Sequence, residues 1–278
     1  MEGRFEIAVE APYAWRTVLG YLGPRSTPGM ERVAGERYTR EVEGGRIWVE
    51  HEGSGLRCAW ESGGKQAADW GARVARLFDA GCKTQEVARV LERSSVLRAR
   101  VRSVAGLRVP GCWEPFELCV RVILGQQVSV PAAHTLMRRL AERCPGLNPE
   151  AVANADLSGL GLTGARRETL RRLAERVADG EIRLEGQAWA EIEGRLKEIR
   201  GFGPWTLEYL ALRLGRDADA FPETDLGLLR AAAVEKPGEL RRLAEEWRPY
   251  RGYGAMYLWV GGGVRRATAP GPRAAGRE

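Results

Sequence analysis

"LKEIRGFGPWTLEYLALR", residues 196–213, sets two glycines, Gly201 and Gly203, between stretches that otherwise read as helix. Apolar residues recur at helical spacing before the break (Leu196, Ile199) and after it (Trp205, Tyr209, Leu212). The gap is too short for anything but a tight hairpin. Glycine permits positive φ and lets another backbone come close. Pro204 opens the second helix, where its missing N–H costs nothing because the first helical amides have no intrahelical partner. Such a corner offers exposed amides at a helix N-terminus with no side chains in the way, which suits an anion such as phosphate. On the spacing alone, an anion site and an ordinary αα-hairpin with Gly at its corner remain two readings.

The composition around this hairpin narrows the class. A chain of 278 residues, 44% hydrophobic and 29% charged, is expected to be a soluble globular protein with a sizeable core. No apolar run approaches the ~18 residues that a membrane helix needs. The start, MEGRFEIAVE, lacks the basic-then-apolar pattern of a signal peptide, so a cytoplasmic location is expected. A net charge of +6, carried mostly by Arg, suits an anionic partner but is equally the balance of many solvated helix faces. Five cysteines without a CxxC pair, and only two histidines (His51 and His134), argue against zinc, a cysteine-ligated cluster and Ser-His or Cys-His catalysis. The odd cysteine count points to free thiols in a reducing compartment.

Texture changes along the chain. Alternating segments at 4–10, 37–43, 46–52 and 56–62 read as strands, with a helix over 12–23 between the first two, which makes a small α+β unit. From about residue 65 onward the pattern is helical. Helices are expected over 65–80, 84–93, 114–126, 131–143, 165–179, 187–199, 204–214, 225–234, 237–246 and 253–260. Thr84, Thr163 and Asp225 are placed as N-caps, Pro131 in a first turn, and Gly180 and Gly215 at helix ends. The stretch 265–278 has no apolar face and reads as a disordered basic tail.

Residues 199–207, Ile-Arg-Gly-Phe-Gly-Pro-Trp-Thr-Leu, resemble the helix-hairpin-helix element of the DNA glycosylase superfamily. Arg200 stands where that pattern has Pro, and Leu207 where it has Ala. An essential Asp follows the hairpin in that family by roughly twenty residues, and "DAFPETDLGLLRAA" (219–232) supplies Asp225. The "PETDLGLL" context resembles the DNA-3-methyladenine glycosylase II (AlkA) branch. So do Val109-Pro110-Gly111-Cys112, the segment Phe116 to Gln126, and "WRPYRGYGAMYLW" (247–259). The strand-rich start, with "PYAW" (12–15) and "LFDAGC" (77–82), is similar to that branch's extra domain.

The resemblance implies an α+β protein: a small N-terminal antiparallel sheet with helices over 1–85, then an all-α helix-hairpin-helix glycosylase bundle over 86–264, before the tail at 265–278. Its expected partner is double-stranded DNA containing a damaged base, met as a monomer. The hairpin, Gly201, Phe202, Gly203 and Thr206, would hold a DNA phosphate. A base must leave the duplex before its glycosidic bond is reachable, and Trp205, Tyr209, Trp259 and Gln126 would receive it. Tyr257 reads as core.

Asp225 can cap a helix, and the resemblance adds catalysis: a carboxylate near C1′ stabilises the cationic sugar and can orient or deprotonate water. Glycosylases of this superfamily that also nick the strand carry Lys where Trp205 stands, so hydrolysis without lyase activity is expected. Gln127 occupies the place of an apolar wedge. No cofactor is implied, except that family hairpins hold a monovalent cation on backbone carbonyls, by position those of Lys197, Ile199 and Phe202. The Thr163-Gly164-Ala165-Arg166-Arg167 segment reads either as a second anion site or as a capped surface helix with solvated arginines. Two other readings stand beside the alkylbase glycosylase: the same fold acting on deaminated bases such as hypoxanthine, and a non-catalytic DNA-binding module.

Overall fold

Period-two alternation of buried and exposed side chains builds the N-terminal sheet. Its strands are β1 (Glu2–Ala8), β2 (Glu31–Ala34), β3 (Arg37–Val42), β4 (Gly45–Glu52) and β5 (Gly55–Ser62), with helix α1 (Trp15–Leu22) between β1 and β2. All pairs are antiparallel in the order β1-β5-β4-β3-β2. Ile47 and Val49 of β4, and Leu56 and Cys58 of β5, face inward. Each fully buried aliphatic among them contributes roughly 1.5–3 kcal/mol. Strand β2 is an addition to the expected four. It is only four residues long, too short for alternation to register in the sequence.

The structure is a computed structural model that describes residues 1–63 and 69–261. The expected helix over 65–80 therefore falls partly, and the tail at 265–278 wholly, outside the described residues. The helices are α2 (Trp70–Leu77), α3 (Thr84–Leu91), α4 (Arg98–Ser103), α5 (Pro115–Gly125), α6 (Val130–Arg143), α7 (Pro149–Asn154) and α8 (Gly164–Ala178), followed by α9 (Trp189–Lys197), α10 (Pro204–Arg213), α11 (Leu226–Ala232), α12 (Pro237–Ala244) and α13 (Arg251–Gly261). Two of them, α4 and α7, were not expected. Each is six residues long with one buried residue, Val101 or Val152, so neither carries an apolar stripe. Thr163 and Asp225 cap their helices as expected. Thr84 does not, because it is the first helical residue of α3. The cap comes from a distance: Glu10 accepts from the Gln85 amide (2.9 Å) and the Thr84 hydroxyl (3.2 Å).

Two hydrophobic cores result. One joins the sheet and α1–α4 to residues of α11–α13, so the chain's last helices return to its first domain. The other lies among α5–α10. Helix α10 serves both, with Leu212 in the first and Leu207 and Leu210 in the second. A buried ion-pair cluster ties the sheet to α5. Arg40 of β3 donates to both oxygens of Glu117 (2.9 and 2.5 Å), and Glu31 of β2 lies 3.8 Å from Arg40 and 3.4 Å from Arg121. Burial pushes the Glu31 carboxyl up, but the two guanidiniums outweigh it and hold the group below the usual carboxylate range.

Candidate active site

The hairpin's two glycines have different work. Gly201 has φ +110°, and a Cβ there would stand 2.6 Å from Thr169 Oγ1 of α8. Gly203 is the N-cap of α10 with an ordinary φ of −80°, and a Cβ on it would meet nothing within 4 Å. Only Gly201 needs the left-handed region; Gly203 leaves open space in front of the helix. Among the described residues the amides of Gly201, Gly203, Trp205 and Thr206 find no partner, while that of Phe202 donates to Ile199 O (3.2 Å). Free donors at a helix start are a group that an anion can use. The side chains of Phe202 and Thr206 are buried, so any contact they make to a phosphate is through the backbone. Ile199 O takes the Phe202 amide, and the carbonyls of Lys197 and Phe202 take none among the described residues. With two lone pairs per carbonyl, each of these oxygens keeps acceptor capacity beyond its backbone bonds among the described residues.

Beside the hairpin lies a cavity of about 420 Å³, within the usual range for small-ligand sites. Trp205, Tyr209, Asp225 and Trp259 all line it. Trp205 and Tyr209, one turn apart on α10, stack with centroids 5.3 Å apart and planes 17° apart. Trp259 of α13 meets Tyr209 edge-on at 5.6 Å. Both indoles turn their N–H onto the carboxylate: Trp205 Nε1 donates to Asp225 Oδ2 (2.9 Å) and Trp259 Nε1 to Oδ1 (3.2 Å). The Leu228 amide donates to Oδ1 as well (2.9 Å), so the same carboxylate caps α11 and faces the cavity. A Cβ on Gly227 would stand 2.9 Å from Oδ1, so glycine there lets the carboxylate lie close over its helix.

Gln126 is not a lining residue of this cavity, and its place among the base-pocket residues is corrected. Its amide is spent on the hairpin, donating to Gly201 O (2.9 Å) and Thr206 Oγ1 (3.3 Å). Gln127 follows in a left-handed conformation (φ 56°), exposed at the turn between α5 and α6. Exposed Val128 next to it lines the cavity. Arg166 and Arg167 at the start of α8 donate to the carbonyls of Gln126 and Leu162. Tyr257 is core, as expected, with its hydroxyl on Val104 O.

Three further residues were not read from the sequence. Arg213, buried behind the aromatic wall, donates to the hydroxyls of Tyr209 (2.6 Å) and Tyr21 (3.0 Å) and to the carbonyls of Gly111 (2.9 Å) and Pro110. Its position four residues after Tyr209 was the available signal. Tyr21 of α1 and His134 of α6 line the cavity from elements remote in sequence, with no local signal at all. Burial pushes the Tyr209 phenol up, but the Arg213, Arg25 and Arg121 guanidiniums and the Tyr21 hydroxyl together outweigh it and hold the group below its ordinary value.

Comparison with known proteins gives the family of the chain. A model of the AlkA N-terminal domain matches residues 4–114, and one of HhH-GPD superfamily base excision DNA repair proteins matches residues 120–247. The chain belongs to the HhH-GPD superfamily, in the branch that carries an AlkA N-terminal domain. DNA-3-methyladenine glycosylase 2 of Escherichia coli is 32% identical over 90% of this chain and 94% of its own length. The "Probable bifunctional transcriptional activator/DNA repair enzyme AlkA" of Mycobacterium tuberculosis is also 32% identical, over 91% of this chain. The chain spans about half of that longer relative, 56% of its length. Among solved structures, the 3-methyladenine DNA-glycosylase from Archaeoglobus fulgidus shares the fold, with a TM-score of 0.77 at 21% identity over 93% of this chain and 98% of that one.

Proposed function

We propose that this protein is a monofunctional DNA glycosylase that acts as a monomer on double-stranded DNA and releases alkylated bases by hydrolysis, leaving an abasic site. One observation carries the reading: a single carboxylate, Asp225, held at an aromatic-walled cavity by two indole N–H groups and a helix amide. The free amides of the hairpin bind a phosphate and fix the strand. A nucleotide flipped from the duplex then enters the cavity. Its base lies against Trp205, Tyr209 and Trp259, whose electron-rich faces favour a cationic methylated purine by about 0.5–2 kcal/mol. As the glycosidic bond stretches, positive charge grows on the sugar, and Asp225 opposes it and orients water. The three N–H donors hold the carboxylate in place before the reaction begins. No lysine lines the cavity among the described residues, which supports hydrolysis over Schiff-base chemistry. A monovalent cation on the carbonyls of Lys197, Ile199 and Phe202 would stiffen the hairpin and add positive charge beside the phosphate.

The test is release of bases from DNA treated with a methylating agent, measured by chromatography. Wild-type protein should free 3-methyladenine and 7-methylguanine without strand breaks, and Asp225→Asn should lose activity by about 100-fold or more. Salt-sensitive duplex binding with no base released would leave a non-catalytic DNA-binding module and overturn the proposal. Release of hypoxanthine alone, from DNA containing it, would move the substrate to deaminated bases.

A further inference from the structure

We infer that His134 reads the edge of the flipped base, donating a hydrogen bond from Nε2 to a carbonyl acceptor such as O6 of a guanine-derived lesion. This rests on the glycosylase reading above. His134 sits in the early turns of α6 and lines the same cavity as Asp225 and the aromatic wall. Neither of its ring nitrogens has a hydrogen-bond partner among the described residues, and Nδ1 is buried outright. A buried N–H without an acceptor is rarer and more costly than an under-used lone pair. The proton of the neutral ring therefore belongs on Nε2, which makes that atom a donor.

The other polar side chains of the cavity, Arg230 apart, already have a partner within the protein. Both oxygens of Asp225 accept indole or amide protons. The hydroxyls of Tyr21 and Tyr209 lie 3.0 Å apart and both accept from Arg213. Arg121 is paired with Glu31 and donates to Thr27 Oγ1 (2.6 Å). Arg25 stacks over the Tyr21 ring at 3.9 Å and donates to Tyr21 O (3.0 Å). Ser129 caps its own helix. Among the lining side chains that carry hydrogen-bonding groups, His134 and Arg230 remain without a partner, and Arg230 is exposed. A charged, exposed guanidinium suits a backbone phosphate at the mouth, which leaves His134 for the base edge.

The two methylated purines differ at the position a donor would probe. 7-Methylguanine presents a carbonyl oxygen at C6, whereas 3-methyladenine presents an amino group, itself a donor. A donor at His134 therefore favours the first over the second. Both bases come from the same methylated DNA, so their release can be followed in one single-turnover reaction by wild type, His134→Ala and His134→Gln. His134→Ala is expected to lower release of 7-methylguanine relative to 3-methyladenine by about threefold to tenfold, the effect of one neutral hydrogen bond. His134→Gln keeps an N–H at similar reach and should restore most of the wild-type ratio. An unchanged ratio in His134→Ala, or an equal fall for both bases, overturns the assignment and leaves the glycosylase reading intact. Release of neither base by wild type overturns both.

Discussion

Arg40 and Arg213 are each only 2% exposed, and the molecule neutralises them in opposite ways. Arg40 meets two carboxylates, Glu117 and Glu31, so its charge is closed off inside the protein. Arg213 meets no carboxylate among the described residues; its partners are two backbone carbonyls and two phenols. Position explains the contrast. Arg40 lies between the sheet and α5, where a self-contained ion pair locks two elements together. Arg213 lies behind Tyr209, where its guanidinium fixes the hydroxyls of Tyr209 and Tyr21 at the back of the cavity wall. The paired charge joins two elements, whereas the one answered by neutral acceptors holds the aromatic wall to the loop at Pro110 and Gly111.

The comparison can be broken at Glu117. Glu117→Ala removes both close hydrogen bonds of a buried guanidinium, leaving it only Glu31 at 3.8 Å, and should cost about 3–5 kcal/mol in urea denaturation. Replacing Arg40 and Glu117 together by Met and Leu should recover most of that loss, because no charge is then left unpaired. A cost near zero for the single change would show that Arg40 is not held as described.

Asp79 sharpens the point from the acidic side. It is a buried carboxylate without an ion-pair partner among the described residues, accepting instead from the Tyr253 hydroxyl (2.8 Å) and the Val109 amide (3.2 Å). Burial pushes its carboxyl up from 3.8 to about 6. The native state therefore holds this proton more tightly than the unfolded chain does. Its stabilising contribution is full below pH 3.8 and is lost as pH rises through about 6, on the order of 3 kcal/mol. Urea midpoints measured between pH 4 and pH 7 should show that loss in wild type relative to Asp79→Asn. Parallel pH profiles for the two proteins would refute it.

The smallest effect belongs to Arg213. Tyr209→Phe removes one of its four acceptors and leaves the Tyr21 hydroxyl and both carbonyls in place. The expected cost is about 1.5–3 kcal/mol, that of one hydrogen bond to a charged group. A loss above that of Glu117→Ala would invert the ranking of the two arginines.

Much of the site was legible before any coordinates. The hairpin, the cap at Asp225 and the Trp205–Tyr209 pair each depend on residues within a turn or two of one another, and all three stand where the sequence put them. Gln126 was misread because nothing local says that its amide will reach across to Gly201, 75 residues away. Thr84 was misread because its helix is capped by Glu10 from another element.

The sequence by itself determined where the chain turns and which carboxylate begins a helix, since Gly and Pro stereochemistry and cap spacing act over a few bonds. Tertiary structure alone decided what surrounds that carboxylate. Trp259 reaches Asp225 across 34 residues and Tyr21 reaches Tyr209 across 188, contacts that no local pattern encodes. They exist because the last helices pack back on the first domain, and burying that apolar surface brings the walls of the cavity together.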